Sequence, residues 1–177
     1  MKFLVIVGTV RDGRKTIHAA EALKKEVERQ GHETIFYDLK ERDIPFLENR
    51  RHESEHEEVE KFGQLVENTD IISIVTPEYN HGIPGALKNA LDHLRDEYED
   101  KPFCYITVSG GSFGGVRAQT HLNEITLSLG GWPGPSLATP DVNEKFDSDG
   151  NIVDEKYRDR MERFVSRAVE HADKFRN

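Results

Sequence analysis

The chain has 177 residues, one cysteine and a formal charge of −9 at pH 7. That length suits one domain spanning residues 1–177 around one core, and the acidic balance speaks against a nucleic-acid footprint or a basic membrane patch. A lone cysteine excludes an internal disulfide framework and fits a reducing cytoplasm.

The opening "MKFLVIVG" is too short to span a membrane and lacks a cleavage-site pattern. Phe3 to Val7 is instead a continuous apolar strand, as a sheet buried on both faces requires. Ile17, Ala20, Leu23 and Val27 follow at helical spacing, and Gly31 ends that helix. "HETIFYDL" reads as a second strand, and Glu41 to His56 as a polar loop. A helix over Glu57 to Asn68 precedes a third strand, Asp70 to Val75, broken at Pro77. Leu87, Ala90, Leu91 and Leu94 stripe the next helix, with Pro84 suited to its first turn. Phe103 to Val108 is a fourth strand, and its Cys104 reads as a small core residue. Ala118, Leu122, Ile125 and Leu129 mark a helix closed by Gly130 and Gly131. "PSLATP" is a short fifth strand, a polar segment covers Asp141 to Asp154, and Met161, Phe164, Val165 and Ala168 mark the last helix.

Five β-α units predict a doubly wound α/β sandwich, with helices on both faces of a parallel sheet. Five strands favour the flavodoxin-like order 2-1-3-4-5. In that order strands 1, 3 and 4 are neighbours, so the loops after them meet at one rim, where such sheets bind ligands.

Those loops are chemically unusual. Gly8 to Thr16, "GTVRDGRKT", combines two hydroxyls with Arg11, Arg14 and Lys15 and opens a helix, as a phosphate site would. A polar turn with surface cations is the plainer alternative. The loop is neither a Walker A sequence nor a dinucleotide fingerprint, which favours a mononucleotide. "TPEYNHGIPG" (Thr76 to Gly85) offers an aromatic, an amide and an imidazole, although Asn80 and Gly82 also suit a simple turn. In "SGGSFGG", Gly110, Gly111, Gly114 and Gly115 would let the backbone approach a flat ligand.

"GTVRDGRKT", "PEYNHGIPGALKNALDHL" and "SGGSFGGVRAQTHLNEI" together resemble the NAD(P)H-dependent FMN reductase family, a flavodoxin-like group with quinone, azo-dye and chromate reductase relatives. The resemblance implies that Thr9, Arg11, Lys15 and Thr16, with the backbone up to Ile17, hold the FMN phosphate. It places Pro77, Glu78, Tyr79, Asn80 and His81 on one side of the isoalloxazine, and Ser109, Gly110 and Gly111 on the other. It implies hydride transfer from NADPH or NADH to the flavin and on to flavin, quinone, azo or similar small acceptors by a ping-pong cycle. FMN carries that chemistry, so no catalytic residue and no metal need be named; His81 is either a proton donor or a residue that packs on the ring or shapes the turn. Arg14 or Arg117 could read the extra phosphate of NADPH. Threonine at 9 and 16 keeps the hydroxyl where serine is usual, whereas Ile17 loses an amide. The family is commonly homodimeric or homotetrameric, with Leu87, Leu91 and Leu94 serving core or interface.

Three further patterns compete. "GGSFG" matches a nucleophile elbow, with Ser112, Asp141 and His171 as a hydrolase set. "HESEH" (His52 to His56) matches a zinc-protease pattern but lies in a charged run without an apolar stripe. "DSDGN" (Asp147 to Asn151) reads as a turn rather than a calcium loop. A flavodoxin-like electron carrier without enzyme activity is the non-enzymatic alternative.

Overall fold

The computed structural model describes residues 1–175. Strands β1 (Lys2–Val7), β2 (Glu33–Asp38), β3 (Ile71–Pro77), β4 (Pro102–Val108) and β5 (Trp132–Thr139) form one sheet in the order β2-β1-β3-β4-β5. Every pairing is parallel. Helices α1 (Thr16–Arg29), α2 (Glu57–Glu67), α3 (Gly85–Asp92), α4 (Val116–Ser128) and α5 (Glu155–Asp173) cover both faces.

Alternation along the strands divides the core in two. Phe3, Val5 and Val7 face α1 and α5, together with Cys104, Ile106, Phe164 and Val165. Leu4 and Ile6 face the other way, with Phe62, Leu87, Leu91, Phe103, Tyr105 and Leu122. Each fully buried Leu, Ile or Phe side chain contributes roughly 1.5–3 kcal/mol. Both faces must therefore stay covered, which is why the central strands are apolar over most of their length. The buried polar exceptions are partnered: Ser73 lies 3.0 Å from the Cys104 sulfur, and the Thr76 and Thr107 hydroxyls donate to the Gly8 and Gly114 carbonyls.

Leu87, Leu91 and Leu94 are all within 1% of full burial, so they belong to the core. Their polar neighbours are equally engaged. Lys88 pairs with Asp92 at 2.6 Å, and Asn89 clamps the 45–47 segment by donating to the Pro45 carbonyl at 2.8 Å and accepting from the Leu47 N–H at 3.0 Å.

β5 is longer than its sequence suggested. It begins at Trp132 and includes Pro133, Gly134 and Pro135, with a register irregularity between Phe103 and Tyr105. Proline survives there because β5 is an edge strand with one side free of ladder bonds. β3 likewise runs through Pro77, which sits opposite Val108 as the strand's last residue.

Candidate functional site

The carboxyl ends of β1, β3 and β4 lie side by side, with Val7 opposite Val75 and Pro77 opposite Val108. The chain leaves β1 through Gly8, whose N–H donates to the Val75 carbonyl at 2.8 Å. A Cβ on Gly8 would stand 2.8 Å from Leu87 Cδ2 and 3.0 Å from the Thr76 side chain, so glycine is a packing requirement here. The loop then enters α1 at Thr16. That helix has no capping side chain and no acid in its first turn. The N–H groups of Thr16 and Ile17 lie ahead of the first intrahelical bond, which His18 makes to the Lys15 carbonyl at 3.2 Å, and carry the positive end of the helix dipole.

The side chains around this terminus divide sharply. Arg14 is bound to Asp38 at the end of β2, and Lys40 to Asp12. Arg11 and Lys15 form no ion pair among the described residues. Arg14 Nε is buried without a partner. Thr16 is only 2% exposed, yet its hydroxyl opens onto the cleft with no protein partner. Thr9 Oγ1 lies 3.0 Å from the Tyr79 hydroxyl, tying the first loop to the second. Ile17 packs its side chain on the α1–α5 core, which leaves only its backbone near the rim.

After Pro77 the second loop makes a tight turn. Tyr79 and Gly82 exchange both backbone hydrogen bonds, at 2.9 and 3.0 Å. Asn80 and His81 take φ of 49° and 67°, the double left-handed arrangement of a type I′ turn. Asn tolerates this and His does so at a cost. His121 of α4 steadies the turn by accepting from the Ile83 N–H at 3.4 Å. Glu78 points across to α4: its Oε2 accepts from the N–H groups of Arg117 and Ala118 at 3.0 and 3.4 Å.

The third loop uses its glycines for two different purposes. Gly110 and Gly111 face open space, where an added Cβ would meet nothing closer than 3.7 Å. Gly114 and Gly115 have φ of 64° and 80° and press against Pro140 and Thr107, at 2.9 and 3.0 Å from an added Cβ. These two therefore shape the turn into α4, and the expectation that they face a flat ligand is corrected.

A fourth crossing was not foreseen. Asp141 donates its N–H to the Gly111 carbonyl at 3.2 Å, and Val142 to the Ser109 carbonyl at 3.1 Å. The segment after β5 thus braces the glycine loop, and Val142 and Asn143 join the wall of the site. Its only sequence signal was its position after a strand.

Together these segments enclose a cleft of about 360 Å³. Arg11, Lys15, Thr16, Pro77, Glu78, Tyr79, Ser109 and Gly110 line it, with Arg14 and Val108. Thr9, Ile17, Gly111, Asn80 and His81 are not part of that lining; Asn80 and His81 line a neighbouring hollow with Arg117 and His121. Larger polar hollows lie elsewhere, around Leu47 to Glu53 and His93, away from the strand ends.

Residues 1–143 match the family described as NADPH-dependent FMN reductase. The chain belongs to that family. It is 35% identical to the NADPH azoreductase of Bacillus sp. (strain OY1-2) over 74% of this chain and 70% of that one. To the FMN-dependent NADPH-azoreductase of Staphylococcus saprophyticus it is 30% identical over 96% and 94%. Among solved structures, FerB, a flavoenzyme NAD(P)H:(acceptor) oxidoreductase from Paracoccus denitrificans, superposes with a TM-score of 0.84 at 26% identity, covering 98% of each chain. The chain spans 58% of the NADPH:quinone oxidoreductase of Arabidopsis thaliana that it also matches. The protein is thus an NAD(P)H-dependent oxidoreductase of the FMN reductase type, with a flavodoxin-like fold.

The competing patterns lose their geometry. Ser112 stands at the carboxyl rim of the sheet, whereas His171 reaches the carbonyl of Trp132 at the start of β5, the opposite end. No nucleophile–base contact can form. His52 and His56 do not share a helix: His52 lies in a short 3-10 turn, and His56 precedes α2. No metal-holding group of His, Cys, Asp and Glu occurs among the described residues. Asp147 to Asn151 is a turn closed by the Phe146–Ile152 bridge. Among the same residues, no helix is long and apolar enough to cross a membrane.

Proposed function

We propose that the cleft seats FMN with its phosphate at the N-terminus of α1, and that small quinone or azo compounds are the electron acceptors. The carrying observation is the uncapped helix start beside two unpaired cations, opening onto a cleft lined by the loops after β1, β3, β4 and β5. The fit is supported by the unpartnered Thr16 hydroxyl and the orphaned Arg14 Nε, both polar groups that an oxygen-rich ligand would satisfy. A volume of this size is in the range of cofactor sites.

In this reading Thr9, Arg11, Lys15, Thr16 and the Ile17 N–H hold the phosphate. Pro77, Glu78 and Tyr79 flank the ring on one side, and Ser109, Gly110 and Gly111 on the other. When bound, FMN supplies hydride uptake from reduced nicotinamide and its return to an acceptor that takes the same place. The chain contributes orientation. The Thr9–Tyr79 contact fixes the aromatic wall relative to the phosphate loop, and the bare glycine backbone leaves one side of the cleft open to exchanging partners. Asn80 and His81 contribute through the turn rather than the cleft wall, so no proton transfer is assigned to His81. Arg14 is half-buried against Asp38, which leaves Arg117, exposed although 3.5 Å from Glu78, as the one of the two able to distinguish NADPH from NADH. A homodimer or homotetramer in a reducing cytoplasm completes the reading, supported by the family resemblance and by the single buried cysteine.

Calorimetric titration of the apoprotein with FMN tests the site. Each charge contact to phosphate is worth about 1.4 kcal/mol or more, so Arg11→Ala and Lys15→Ala together should weaken binding about 100-fold. Absence of binding by the unaltered protein, or unchanged affinity in the double variant, refutes it. Anaerobic titration of the loaded protein with NADPH and NADH, followed by a quinone and an azo dye, tests the acceptor class.

A further inference from the structure

We propose that Glu78 is a positioning residue whose carboxylate caps α4 from the loop after β3, cancelling that helix's positive end so that α1, and not α4, receives the anionic end of the cofactor. The electrostatic half rests on the FMN reading above.

α4 cannot cap itself. Its N-cap residue is Gly115, and its first turn carries no acid. Helix starts normally recruit Ser, Thr, Asp or Asn for this purpose. Here the acceptor comes from another segment: Glu78 Oε2 takes the N–H groups of Arg117 and Ala118, while Oε1 lies 3.5 Å from the Arg117 guanidinium. The Glu78 side chain is only 14% exposed, so water screens these contacts incompletely. α1 and α4 begin at the same rim, each following a strand that flanks β3. One start is occupied by a carboxylate, and the other is bare and accompanied by Arg11 and Lys15. An anionic group entering the cleft is therefore directed toward α1 and repelled from α4.

Two consequences follow. The same contact pins the turn at 79–82 to the segment that carries Gly114 and Gly115, holding the two walls of the cleft at a fixed spacing. The carboxylate also balances the positive end of α4 and the Arg117 guanidinium on the cleft wall; without it, that uncompensated positive charge would favour the reduced ring.

Two variants separate these roles. Glu78→Gln retains an oxygen that can accept the backbone N–H groups but removes the charge; Glu78→Ala removes both. Glu78→Ala should lower the melting temperature of the apoprotein by about 3 °C, the usual effect of a lost cap in a chain of this size, and raise the Kd for FMN about tenfold. Glu78→Gln should lower the apoprotein's melting temperature by less than Glu78→Ala does, losing the charge but not the acceptor, and move the reduction potential of bound FMN to a more positive value. An unaltered melting temperature in Glu78→Ala overturns the cap, and an unaltered potential in Glu78→Gln overturns the electrostatic role. If the unsubstituted apoprotein bound no FMN, the proposed function and the electrostatic half would fall together, while the melting temperatures would still decide the cap.

Discussion

Cys104 shows how far one residue's chemistry is set by its surroundings. It lies in β4, 1% exposed, with its sulfur against the Ser73 hydroxyl. Burial disfavours the charged form, and the thiol is pushed up to about 12, only partly offset by the hydrogen bond from Ser73. The thiolate is the reactive form, so the native protein should resist alkylation at pH 8 and react only on unfolding. Labelling by a maleimide followed by mass spectrometry checks this; rapid modification of the folded chain would show that Cys104 is reached from solvent. The apolar residues around Cys104 already implied this inertness. Glu78 is the opposite case. Its place in the loop was plain from the sequence, but the partner of its carboxylate is Arg117, 39 positions away, and no local pattern encodes that meeting.

Elements were legible where hydrophobic period and punctuation agreed. β1, α1 and α4 follow their apolar stripes, and Gly31 and Gly130 end helices with φ of 82° and 75°. β5 was foreshortened because Pro133 and Pro135 argue against a strand, and only its edge position makes them tolerable. The glycines after β4 look alike in sequence, yet Gly110 faces open space while Gly115 is forced against Thr107. Gly115→Ala should therefore destabilise the fold by about 2 kcal/mol, combining left-handed strain with a crowded Cβ. Gly110→Ala should cost much less stability. Denaturant melts of the two variants compare them, and equal costs would remove the distinction between the glycine pairs.

At the scale of the molecule, Arg51 joins segments that are far apart in the chain. Its guanidinium donates to Glu60 at 2.9 Å and to Glu67 at 2.6 Å on α2, and to Glu97 at 3.1 Å ahead of β4. A side chain on Gly63 would displace the Arg51 guanidinium from this set of contacts. The hydrogen bonds from Arg51, and then from Gln64, hold the Glu60 carboxyl down at about 2. A depressed carboxylate adds stability above its unfolded pKa, near 4.5, and loses it as pH falls toward the folded value. Arg51→Met should lower the melting temperature at pH 7 by about 4 °C, and the gap should narrow between about pH 4.5 and pH 2. A gap that does not change with pH would mean that the arginine acts through packing alone.

The sequence by itself determined the α/β class, the strand order, the three loops at the rim and the family, because apolar period, helix punctuation and loop composition are local properties of the chain. Only the tertiary structure decided which cations remain unpaired, which glycines face the cleft, that the segment after β5 braces its wall, and that Glu78 closes α4. Most of those depend on groups brought together by parallel crossovers, such as Glu78 with Arg117 or Asp141 with Gly111, which lie a helix or more apart along the chain.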